Sequence, residues 1–113
     1  MPYVQVRTNK KIINDQEVRM KEKIGELIKI LGKQESWLMC EFVPECKMYF
    51  QGKNSEPIAY VDIKIYGSCD SQKYNMMTQE ITNFLNKELE IRPDNIYVSY
   101  SEFENWGWNG NNF

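Results

Sequence analysis

The chain contains no histidine. That absence removes Ser–His and Cys–His dyads and the commonest general base. An enzyme built on this sequence and working near neutral pH must find its proton acceptor elsewhere. Cysteine is scarce too, and Cys40, Cys46 and Cys69 are an odd, scattered set. Such a set makes no disulfide framework, and its spacings match no structural zinc site. No metal or other cofactor is expected. An excess of positive charge is also missing: 14 Lys and Arg stand against 16 Asp and Glu, for a net charge of -2. With no basic cluster, a nucleic-acid partner is not expected. No apolar run approaches ~18 residues, so no membrane span is expected. The opening MPYVQVRTNKK has no apolar core ahead of a small-residue cleavage site. It does not read as a secretory signal, and a cytoplasmic location follows as the expectation.

What is present is ordinary globular material. Hydrophobic residues make up 42% and charged residues 27% of 113 residues, which suits a single domain over 1–113 with its own core. Residues 3–7 alternate, with Val4 and Val6 on one side and Tyr3, Gln5 and Arg7 on the other, as a half-buried strand does. Asn14, followed by Glu17, predicts a helix start. Val18, Ile24, Leu27, Ile28 and Leu31 form a stripe at helical spacing, and Gly32 is a natural stop. A strand is expected from Trp37 to Val43, ended by Pro44, and a short extended piece from Met48 to Phe50.

The second half repeats the order. Residues 58–66 alternate, Asp70 and Ser71 offer a cap, and Tyr74, Met77, Ile81, Phe84, Leu85 and Leu89 make a second stripe. A last strand is expected from about Asn95 to Ser101, before an aromatic, glycine-bearing tail. The expected fold class is α+β: two βαβ units forming a four-stranded mixed sheet with two helices on one face. The other sheet face carries Tyr3, Gln5, Arg7, Asp62, Lys64, Tyr97 and Ser99 and must meet water or a polar lumen.

Met1-Pro2, Thr8-Asn9, Leu31-Gly32-Lys33, Val43-Pro44, Ser55-Glu56-Pro57, Arg92-Pro93-Asp94 with Ile96-Tyr97-Val98, and a close on Asn105-Trp106-Gly107-Trp108-Asn109-Gly110 and Phe113 run the length of the chain. In this order and spacing they resemble the macrophage migration inhibitory factor and D-dopachrome tautomerase family of the tautomerase superfamily. The resemblance implies a homotrimer whose sheets surround a solvent channel. It also implies keto–enol tautomerisation of small aromatic α-keto acids such as phenylpyruvate, in pockets between subunits.

Pro2 then becomes the candidate base. Once Met1 is removed, its nitrogen is a secondary amine. A general base works best with a pKa near the working pH, and an ordinary α-amino group lies at about 7.7–8.0. Burial and a nearby cation both disfavour the protonated amine. Without the resemblance, Pro2 reads simply as a strand start, where the missing N–H costs nothing. The resemblance implies that Lys33 binds the substrate carboxylate and lowers the Pro2 pKa. It implies that the backbone N–H of Tyr66 holds substrate and that Tyr97 reaches into a neighbouring subunit's pocket. It implies, too, that Trp108 and Phe113 supply the pocket's aromatic wall. Three positions depart from the family pattern: Tyr66 replaces a common isoleucine, Ser99 a common asparagine, and Trp106 a smaller apolar residue. The family's CxxC segment corresponds here to Ile58-Ala59-Tyr60-Val61, so its thiol chemistry is not expected.

Two other readings stay open. One is a cytokine-like signalling protein on the same fold, exported without a leader, with a receptor partner and vestigial catalysis. The other is an isomerase or dehalogenase of unsaturated acids. It ranks last, because such relatives lean on pocket arginines and only Arg7, Arg19 and Arg92 are present.

Overall fold

A computed structural model describes residues 1–113. Strand β1 spans Pro2–Thr8, helix α1 Asn14–Leu27, β2 Met39–Val43, β3 Ala59–Tyr66, helix α2 Ser71–Leu89 and β4 Ile96–Phe103. The sheet order is β2-β1-β3-β4. The β1–β2 and β3–β4 pairs are parallel and the central β1–β3 pair is antiparallel. Each parallel pair is joined through a helix, as the repeated pattern predicts, and the two βαβ halves meet at β1 and β3. The tail forms a small hairpin, β5 (Gly107–Trp108) with β6 (Asn111–Asn112).

The alternation of the strands decides which face is buried. Val4, Val6, Val61, Ile63 and Ile65 are at most 1% exposed, and they pack with Met20, Ile24, Met77, Ile81 and Leu85 of the helices. Burying each such side chain contributes roughly 1.5–3 kcal/mol. Ile96 and Val98 are only partly buried because β4 is an edge strand. The opposite face is polar: Tyr3 Oη and Gln5 Nε2 both donate to Glu41 Oε1 at 2.6 Å. Thr8 and Asn9 clamp the start of β3. Thr8 Oγ1 donates to the Ile58 carbonyl at 2.7 Å, and Asn9 Oδ1 accepts from the Ile58 N–H at 2.8 Å.

Three local expectations are corrected. The first helix is capped by Ile13, not Asn14: Ile13 is extended, its carbonyl accepts from Glu17 N–H, and its own N–H donates to Gln16 Oε1 at 3.0 Å. Val18 is half exposed, and Met20 takes its place in the core. Two residues apart on a helix is a rotation of about 200°, so Val18 and Met20 face opposite ways. The segment Glu35–Trp37 is a 3-10 turn and β2 starts only at Met39. A matching turn, Pro93–Asn95, precedes β4, so the two halves agree even in this detail.

Candidate functional site

The N-terminus lies at the end of the sheet where β1 meets the last residues of β3. Pro2 pairs with Ile65, Tyr3 pairs with Lys64, and Pro2 is buried. Beside it is a cavity of ≈ 730 Å³. Met1, Pro2, Tyr3 and Lys64 line one side, and Ser36 to Met39 and the 103–108 segment line the other. All three tryptophans of the chain, Trp37, Trp106 and Trp108, face it. Trp37 and Trp108 meet edge to face at 5.0 Å, and Phe103 meets Trp106 at 5.9 Å. Such pairs favour a fixed aromatic wall.

Helix α1 continues as a 3-10 turn, Ile28–Leu31, that ends at Gly32 with φ 74°. Glycine adopts this left-handed geometry without a Cβ penalty. The chain reverses there and sends Lys33 across to the end of β3, where its Nζ donates to the Tyr66 carbonyl at 2.8 Å. The Tyr66 N–H donates to the Met1 carbonyl at 3.0 Å. Met1 therefore sits between Pro2 and the Lys33–Tyr66 pair. Its amino group is held below the ordinary α-amino value, first by burial and second by the Lys33 charge. Both causes penalise the cation.

The candidates separate into groups. Pro2 and Trp108 line the cavity. Lys33 and Tyr66 approach the same N-terminus through Met1. Phe113 packs on Tyr66 at 5.5 Å and its N–H donates to the Trp106 carbonyl at 3.1 Å. Tyr66 also lines a second depression with Phe103, a side chain shared with the main cavity. Tyr97 is elsewhere. It pairs with Tyr60, which pairs with Arg7, five residues along β1 from Pro2. At about 3.3 Å per residue that is roughly 17 Å along the strand direction, and Tyr97 is two strands across as well. Tyr97 is 59% exposed and stacks edge to face on Phe50 at 5.1 Å. Ser99 shares a hydrogen bond of 2.7 Å with Tyr60 on the polar sheet face.

Sequence reasoning missed Trp37 and Lys64. Trp37 read as the start of a strand, and Lys64 as one more polar residue of the outer face. The signal for Lys64 was its parity with Tyr3, the residue after Pro2. The thiols stand apart from this site. Burial pushes the Cys40 thiol up to about 11, and Ile58, Ala59 and Val61 are core residues.

Comparison with known proteins agrees along the whole chain. A family model described as macrophage migration inhibitory factor (MIF) matches residues 1–113. The macrophage migration inhibitory factor of Meriones unguiculatus is 29% identical over 115 aligned residues, covering 100% of this chain and 99% of that protein. The crystal structure of Leishmania major MIF2 superposes with a TM-score of 0.92 at 32% identity, covering 100% of this chain and 97% of that one. A homologue from Prochlorococcus marinus gives a TM-score of 0.88 at 26% identity, with 98% of both chains covered.

Proposed function

The chain belongs to the macrophage migration inhibitory factor family, and from that premise we propose that it is a keto–enol tautomerase of phenylpyruvate-like α-keto acids, with the secondary amine of Pro2 as general base. The observation that carries this reading is the environment of the N-terminus. A buried proline lies beside an aromatic cavity, and the amine in front of it is depressed by burial and by Lys33. Removal of Met1 turns the Pro2 nitrogen from an amide, whose lone pair is delocalised, into a free amine. It also frees the Tyr66 N–H, now bonded to the Met1 carbonyl, to donate to a substrate oxygen.

The proposed cycle balances around one proton. The enol O–H of the substrate loses its proton while carbon 3 gains one, and Pro2 carries the proton between solvent or oxygen and carbon. Lys33 and the Tyr66 N–H hold the carboxylate, and Trp108, Trp37 and Phe113 hold the ring. Tyr97 lies too far from Pro2 to serve the same chain's cavity, so it serves a neighbour's in a proposed homotrimer.

The test is an enol-to-keto assay with protein whose N-terminus is verified by mass. Processed protein is expected to be active, and protein that keeps Met1 is expected to be nearly inert. Pro2→Gly is expected to lose about 10²–10⁴-fold in kcat, the usual contribution of a general base. Equal activity of the Met1-bearing and processed forms would refute the mechanism.

A further inference from the structure

Lys64 faces the cavity, and the catalytic cycle above leaves it unused. It stands opposite Tyr3 and lines the cavity wall, whereas Lys33 does not. Its Nζ is 2.5 Å from Asp62 Oδ2 and 5.8 Å from the centre of the Tyr3 ring, with about a third of its side chain exposed. Lys33, by contrast, is bonded to the carbonyl of Tyr66. The two ammonium groups thus address different stretches of β3, from two to four residues apart. At the strand rise that is roughly 7–13 Å, too far for one carboxylate to satisfy both and well suited to an aromatic ring with an anion at each end.

We propose that Lys64 is a specificity-determining residue that recognises a second negative charge, so that the site selects aryl α-keto acids bearing a further carboxylate on the far side of the ring. The inference rests on the tautomerase reading of the same cavity. Asp62 neutralises Lys64 when no ligand is bound. A partly exposed ion pair of this kind is weak, so a ligand carboxylate can replace Asp62 at little cost. Lys33 approaches the same N-terminus behind Met1, so once Met1 is removed the aromatic wall holds the ring between the two cationic ends.

The three cavity tryptophans give the experiment its reporter, because every indole N–H signal of the protein comes from this site. Processed protein is titrated with benzoate and with terephthalate while the indole signals are followed by NMR. Terephthalate is expected to bind about 10-fold more tightly, the scale of one charge-assisted hydrogen bond. Lys64→Gln is expected to abolish that difference and leave benzoate unchanged. Asp62→Asn, which removes the internal competitor, is expected to widen it. In turnover, the same preference should appear as a lower KM for 4-carboxyphenylpyruvate than for phenylpyruvate. Equal affinities in the wild type, no indole shift with either ligand, or a preference that survives in Lys64→Gln would overturn the role of Lys64. The two claims fail separately. An active enzyme without the preference loses only the Lys64 assignment. Lys64-dependent binding without turnover of phenylpyruvate loses the catalytic reading.

Discussion

Burial and the Lys33 charge act in the same direction on the Met1 amine; the same two causes are expected to act on the Pro2 amine once Met1 is removed, and they can be separated by mutation. The neutral amine is the active form of a base, so the acidic limb of kcat/KM follows its pKa. Lys33→Ala removes the second cause and leaves the first. The amine pKa then rises part of the way toward its ordinary value, and the acidic limb moves to higher pH. The same change removes a charge-assisted hydrogen bond of roughly 1.5–3 kcal/mol, so KM for phenylpyruvate is expected to rise about 10-fold or more. Rates measured across pH 5–9 check both, and an unmoved limb would take Lys33 out of the site. Cys40 gives an independent check on the core. With its thiol raised to about 11 by burial, it is expected to resist alkylation by iodoacetamide at pH 8 while the chain is folded and to react in denaturant. Mass mapping of the labelled peptide reads this directly, and rapid labelling of folded protein would show that the β2 edge opens.

The turn between α1 and β2 is where a local backbone choice becomes site geometry. A Cβ at Gly32 would meet nothing within 4 Å, so Gly32→Ala tests backbone conformation alone. The left-handed geometry is expected to cost about 1–2 kcal/mol of stability. Because Lys33 follows directly, KM should rise with little change in kcat. Denaturant melts and steady-state kinetics check the pair, and an unchanged midpoint would mean the turn tolerates another path. Much of this element level was legible in advance. The alternation of residues 58–66 gave β3 and its buried face, and Asp70 does cap α2, accepting from the Lys73 N–H at 2.9 Å. The misreadings have a common origin. Asn14 is a good capping residue by type, but Gln16 already closes the turn onto Ile13. Val18 is apolar by type, but the helix face is set by Met20 and Ile24 against the sheet. Composition signals what a residue favours, and tertiary packing decides which of two neighbours is used.

In the proposed trimer, a single copy of the chain leaves the candidate site incomplete. The resemblance implies roles for both Pro2 and Tyr97, but strand register puts them at opposite ends of the sheet, and one chain's periodicity does not say whether a second copy brings them together. The exposed Tyr97, Trp108 and Phe113 fit surfaces that a neighbour covers. Light scattering is expected to give about three times 13.5 kDa, the size of a closed cyclic trimer. A monomer at micromolar concentration would break the shared-pocket account. The central claim is that the amine of Pro2 in one subunit acts in a pocket completed by Tyr97 of the next, and subunit mixing tests it most directly. Pro2→Gly alone is expected to be nearly inactive, and Tyr97→Ala alone to lose about 10-fold or more in kcat/KM. Co-refolding the two in equal amounts should restore activity to about a quarter of wild type, since in a random cyclic trimer that share of pockets draws an intact Pro2 and an intact Tyr97 from different subunits. Activity no greater than the average of the two unmixed variants, in samples shown by mass to contain mixed trimers, would contradict the account.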